Sequence, residues 1–152
     1  MGLMCDKSAA LPLQRPCLSR QSRESRIFLM GKLNIAALQQ TDRPVRAIAD
    51  RLAPYLQILV DEFHPEKVIL FGSYAYGQPN EHSDVDLLVI KPLQNSTLKE
   101  ALAIRKKWRA LMRQKDRLSI ELLIQSPEQH QDRLTNNAGF YSEINTKGLE
   151  LV

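Results

Sequence analysis

Three short apolar runs stand out from a chain whose other hydrophobic residues fall at helical spacing. Val68 to Phe71 is continuous and rich in β-branched residues, the pattern of a strand buried on both faces, and Val85 to Ile90, with Asp86 near its start, reads as another buried strand. Leu118 to Ile124 is apolar apart from Ser119 and Glu121 and predicts a third core strand. Before these runs, Val45, Ile48, Ala49, Leu52, Leu56, Leu59, Val60 and Phe63 keep a helical period. Thr41 or Asp42 caps that segment and Pro44 suits its first turn, while Pro54 predicts a kink or two abutting helices near Ala53. His64-Pro65 closes it, and His64 reads as a helix-end residue in preference to a catalytic base.

Between the second and third runs, Ser96 or Thr97 caps a helix expected to reach about Gln114. Its apolar stripe is Leu98, Ala101, Ile104 or Leu102, Trp108 and Leu111, spaced to pack on a sheet, with Trp108 as a core residue. The opposite face carries Lys99, Arg105, Lys106, Lys107, Arg109, Arg113 and Lys115 and reads as solvated, the alternative being a docking surface for an acidic partner or RNA. Ser126-Pro127 starts another helix to about Leu134. After the Asn136–Gly139 break, Phe140, Tyr141 and Ile144 mark a last short helix ended by Gly148, and Leu149 and Leu151 suit a terminal extended segment. Strands alternating with helices predict an α/β domain.

Residues 1–29 show no sustained period and no apolar core of a secretory signal. They read as a disordered tail, as a mimic of an organellar transit peptide, or as residues upstream of a true start at Met30. The expected organisation is a weakly structured extension over 1–40 and a folded domain over 41–152. A length of 152 residues suits one core. The net charge of +4 changes meaning once divided: residues 1–46 carry a balance of +5 and residues 47–152 a balance of −1. The expected domain is thus near neutral, and nucleic acid is not an expected partner. No apolar run approaches the ~18 residues of a membrane span. Cys5 and Cys17 have no metal-ligand spacing, so a soluble protein of a reducing cytoplasm is expected.

The chemistry concentrates in residues 67–90. Gly72-Ser73 follows the first strand, allowing a tight turn where no side chain blocks a ligand's approach to the backbone. Ser73 is expected to cap a helical turn over 74–77, offering N–H groups and a hydroxyl to an anion such as phosphate. Asp84 and Asp86 stand at the start of the second strand. Residues two apart on a strand share a face, about 6.5–7 Å apart at Cα, so both carboxylates can serve one hard divalent cation alongside phosphate oxygens. Glu121 is a carboxylate in an otherwise apolar run, which predicts a buried charge that needs a partner or a metal.

Taken together, Gly72, Ser73, Ala75, Gly77, Ser83, Asp84, Asp86 and Leu87 resemble the signature of the DNA polymerase β-like nucleotidyltransferases, specifically their small stand-alone "minimal" members. The signature reads Gly-Ser-x-Ala-Arg-Gly, a loop, then Ser-Asp-x-Asp-Leu. The resemblance extends over roughly residues 45–150, with real specificity across 70–90. It implies a small mixed sheet of at least three core strands flanked by helices. It further implies transfer of a nucleoside monophosphate, AMP from ATP, to a hydroxyl, with two Mg²⁺ ions held by Asp84, Asp86 and Glu121. Gly72, Ser73, Gly77 and Ser83 would form the nucleotide-binding part. The chain is short for a transferase with its own substrate domain, and minimal members often act as antitoxins that modify a HEPN-domain toxin on tyrosine, so a HEPN-domain protein is the expected partner. Two positions depart from the family: Tyr76 stands where arginine is usual, and Glu121 where aspartate is usual. These departures keep open a binding module of the same fold with weak catalysis, beside a transferase acting on a small molecule or RNA.

Overall fold

The computed structural model describes residues 33–136 and 139–152. The expectations for residues 1–29 and for a start at Met30 lie outside the described residues. Helix α1, Ile35–Gln40, comes first, and Asn34 caps it by accepting from the Ala37 amide at 2.9 Å. Leu38 is fully buried in the core and the Asn34 amide donates to the Leu151 carbonyl at 3.1 Å. Six residues are too few to hold a helix alone in water. It is packing that makes this one part of the domain.

A 3₁₀ helix, Pro44–Ile48, leads into α2, Ala49–Phe63. The Thr41 hydroxyl accepts from the Arg43 amide at 3.2 Å just before it. The two abutting helices expected near Ala53 are one: the change of helix type falls at Ile48–Ala49, and α2 continues through Pro54, which lies on its exposed side. His64 caps α2 in the left-handed region, φ 45°, with its Nδ1 2.9 Å from the Val60 carbonyl oxygen.

Strands β1 (Lys67–Phe71), β2 (Val85–Ile90), β3 (Ile120–Gln125) and β4 (Leu149–Glu150) form one mixed sheet in the order β3-β2-β1-β4. β1 pairs antiparallel with β2 and with β4, whereas β2 and β3 run parallel. The crossover between the parallel strands carries α4 (Thr97–Lys107) and α5 (Arg109–Met112). A four-residue helix, α3, Ser73–Tyr76, links β1 to the loop before β2. After β3 come α6 (Pro127–Asn136) and α7 (Phe140–Lys147). A reciprocal cap starts α6: Ser126 Oγ accepts from the Gln129 amide and Gln129 Oε1 from the Ser126 amide, the geometry of a capping box.

The register sorts side chains into two faces. Val68, Leu70, Val85, Leu87, Val89, Ile120 and Ile124 join Leu52, Leu56, Leu59, Ile104 and Trp108 in the larger core. Trp108 donates its indole N–H to the Tyr55 carbonyl at 3.0 Å and meets the Tyr55 ring edge-on. The helix before it ends at Lys107, short of the expected Gln114. Leu98 and Leu102 point to solvent, so Leu98 does not belong to the packed stripe. The basic face of α4 is partly bound to its own chain: Lys107 pairs with Glu62 at 2.7 Å, and Arg105 donates to the Ile120 carbonyl at 3.3 Å. On the second face, Ile69, Phe71, Leu88 and Ile90 pack under Tyr141 and Ile144 of α7. Among the described residues, no helix is long and apolar enough to cross a membrane.

Candidate active site

Strand alternation puts Asp86 on the second face, in line with Leu88 and Ile90. Its register partners complete a row: Phe71 of β1 lies opposite Asp86, and Glu121 of β3 lies on its other side. Neighbouring strands are about 4.8 Å apart, so two carboxylates stand side by side at the uncovered end of this face. Asp84, two residues back, precedes β2 and is exposed. Desolvation first, then the charges of Glu121 and Asp84, push the Asp86 carboxyl above the ordinary carboxylate range. Like charges held this close disfavour ionisation.

Glu121 is exposed, which corrects the expectation of a buried charge. It occupies the second residue of β3 and is open to solvent, which can solvate its charge. Among the described residues, no three His, Cys, Asp or Glu side chains are gathered into a ready-made metal cage. The donor set is open instead: Asp86 with Glu121 beside it and Asp84 behind. Hard oxygen donors in mutual repulsion suit a divalent cation that completes its shell with water and phosphate oxygens.

The turn at Gly72 is built against Asp86. Gly72 adopts φ 71°, and a Cβ there would lie 2.2 Å from Asp86 Oδ2, so only glycine permits this approach. Gly72, not Ser73, is the cap of α3. Its carbonyl accepts from the amides of Ala75 and Tyr76, and Ser73 is the first helical residue. At Gly77 a Cβ would come 2.8 Å from Ser73 Cα, so the chain folds back tightly over the turn. The Arg43 guanidinium donates to the carbonyls of Ala75 and Lys147, tying the turn to α7. Ser83 is placed differently from Gly72 and Ser73. Its hydroxyl accepts from the Asn80 amide at 2.8 Å and bonds the Asn80 side chain at 3.3 Å, which clasps the loop leading into Asp84.

Two cavities flank the carboxylates. One, of about 440 Å³, is lined by Phe71, Gly72, Tyr76, Asp86, Glu121 and Phe140, with Tyr141 behind them. The other, of about 450 Å³, is lined by Asp84 and is polar, with Arg51, Tyr74, His82, Ser83 and Arg117 around it. Sequence reading passed over Arg51, Arg117 and Phe140 as site residues. They come from three distant elements, and nothing local marks them. Tyr76, in place of the family's arginine, has the Lys147 ammonium 5.8 Å from its ring centroid, so a positive charge does stand near that position.

A mixed sheet with a Gly-Ser turn closing one strand against a carboxylate row on the next defines a nucleotidyltransferase domain of the polymerase β type. The chain belongs to this family: residues 52–140 match the family model described as nucleotidyltransferase domain. No curated protein matches the chain. Transfer of a nucleotidyl group is the activity of the family.

Proposed function

We propose that the protein transfers AMP from ATP to a hydroxyl of a partner protein, in a reaction that depends on Mg²⁺ and releases pyrophosphate. The observation that supports this is the row of Asp86 and Glu121 facing the Gly72 turn, where Gly72 leaves no side chain between backbone and ligand. On this reading Asp84 and Asp86 hold the cation, with Glu121 beside them. When bound, the cation supplies charge stabilisation at the attacking and leaving oxygens. The chain's own residues do the rest. Backbone and hydroxyl at Gly72 and Ser73 orient the phosphates, Arg43 steadies that turn, and Glu121 takes the proton of the attacking hydroxyl. Aligning the reactants in this way removes much of the entropic barrier.

The acceptor in this proposal is a tyrosine of a HEPN-domain toxin, with the present chain as its antitoxin; it rests on the motif's resemblance to minimal nucleotidyltransferases. The test is transfer of label from ATP carrying radioactive phosphorus at the α position to a HEPN-domain partner. Wild type should label the partner, Glu121→Gln should lose about 10²–10⁴-fold in rate if Glu121 is the base, and Glu121→Asp should retain activity. Tight ATP binding without transfer to any acceptor would replace the enzyme by a binding module. Equal rates in wild type and Glu121→Gln would remove Glu121 from the chemistry.

A further inference from the structure

The cavity beside Asp86 and Glu121 has a chemistry that the carboxylates do not account for. Its remaining wall is aromatic. Phe140 is 48% exposed and Tyr76 37% exposed, large apolar faces left open at the cavity. The Phe140 ring is held firmly all the same: it meets Phe71 edge-on at 5.9 Å and Tyr141 edge-on at 5.2 Å. Tyr141 is itself fixed, since its hydroxyl accepts from Gln125 Nε2 at 2.9 Å and from Arg133, whose guanidinium carbon lies 5.2 Å from the ring centroid. An exposed ring with locked neighbours is a preorganised surface, which costs little ordering entropy when a flat ligand lands on it.

We propose that this aromatic cavity is the nucleobase site, with Phe140 as the stacking face and Tyr76 on the opposite rim. The assignment rests on the nucleotidyltransferase reading above, and it deepens that reading by placing the base. Two observations favour it over the second cavity. A base presents two apolar faces, and this cavity offers them the rings of Phe71, Tyr76, Phe140 and Tyr141, whereas the cavity at Asp84 has Tyr74 among mainly charged and polar groups, Arg51, Glu81, His82, Ser83 and Arg117. A nucleotide whose phosphates meet Gly72 has its base directly at hand here, because Gly72, Asp86 and Phe140 line one space. Its volume of about 440 Å³, close to the 450 Å³ of the second cavity, is within the range of small-molecule sites. Stacking is tolerant of base identity, because every base has a π-face. The site therefore orients the nucleotide and leaves discrimination among purines weak.

The experiment is calorimetric titration of the full chain, in Mg²⁺, with an ATP analogue carrying a methylene bridge between the α- and β-phosphates, and in parallel with inorganic tripolyphosphate. Phe140→Ala should weaken the analogue roughly 5- to 100-fold, the range for losing one stacked base, and leave tripolyphosphate affinity unchanged. Phe140→Trp should keep the wild-type affinity for both. Circular dichroism of each variant checks the fold, and Tyr76→Ala serves as a second probe from the other rim. Unchanged analogue affinity in both alanine variants would overturn the assignment, as would equal losses for the analogue and tripolyphosphate. If wild type binds tripolyphosphate but gains nothing from the nucleoside, the base site is overturned while the phosphate site stands. If wild type binds neither, the nucleotide reading falls, and the base site with it.

Discussion

The two ends of strand β2 treat charge in opposite ways. At its start, Asp84, Asp86 and Glu121 repel one another, and none of the three takes part in a salt bridge among the described residues. At its far end, Lys91 is buried and pairs with Glu100 of α4 at 2.8 Å, both side chains less than a tenth exposed. The Lys91 ammonium also donates to the Pro92 carbonyl at 3.0 Å, and the second Glu100 oxygen accepts from the Asn95 amide at 3.2 Å. One end is saturated and closed. The other is repulsive and open, where removing charge relieves the fold but removes the chemistry. That contrast separates a charge kept for structure from charges kept for a ligand, and each of its halves can be broken on its own.

The largest effect is expected at the open end. Asp84→Asn with Asp86→Asn should lower transfer by about 10³-fold or more, since losing one preorganised electrostatic partner already costs about 10²–10³. The same variant should lose the thermal stabilisation that Mg²⁺ with ATP confers, which at a hundredfold excess over Kd is about 2.7 kcal/mol. Differential scanning fluorimetry reads that shift. Full stabilisation of the double variant would move the metal site elsewhere.

Next comes the closed end. Lys91→Met leaves Glu100 buried without its partner and should cost about 3–5 kcal/mol, whereas Lys91→Met with Glu100→Leu should recover most of that. Urea unfolding measures both. A single variant as stable as wild type would show that the pair is idle.

The same pair predicts a pH dependence. The hydrogen bond from Lys91, against the opposing cost of burial, holds the Glu100 carboxyl below its ordinary range. Its folded pKa is therefore below the unfolded one, so its stabilisation is present above the ordinary glutamate range and is lost as pH falls through the folded value. The stability difference between wild type and Glu100→Gln should shrink steadily as pH falls across that window. A constant difference would mean that the charge of Glu100 is not what stabilises.

The smallest effect has the opposite sign. Because the Asp86 carboxyl is raised, ionised Asp86 strains the folded chain above that value, and the strain fades as pH falls. Asp86→Asn in metal-free buffer at neutral pH should therefore stabilise by about 0.5–1 kcal/mol, the usual gain from relieving a local charge conflict at a functional site. Loss of stability would show that Asp86 has a structural partner after all.

Much of the fold was legible because its signals are local. β2 matches its apolar run residue for residue, and the Ser126 cap and Gly148 stop lie where turn chemistry puts them. The open end of β2 was legible too, since Asp84, Asp86 and the Gly72 turn lie within fifteen residues of one another. The closed end was not. Glu100 sits on a helix among exposed lysines, and only the packing of α4 against β3 and α2, with the pairing to Lys91, buries it. Leu98 was misjudged for the same reason: its spacing fits the stripe, but the helix presents Ala101 and Ile104 inward and leaves Leu98 outside. Glu121 was placed beside the site but expected to be buried, because an apolar run does not tell where along a strand its cover ends.

What the sequence alone determined was the set of strands, the glycine-dependent turn and the paired aspartates, because each follows from the period, φ preference or spacing of near neighbours. Only the tertiary structure decided which distant residues meet: Glu121 beside Asp86 through a parallel pairing, Phe140 against Phe71 through the return of α7, Asn34 bonded to Leu151 with Leu38 in the larger core. Those meetings depend on register and on which surfaces pack. They are set by the burial of the whole chain at once, and no window of sequence contains them.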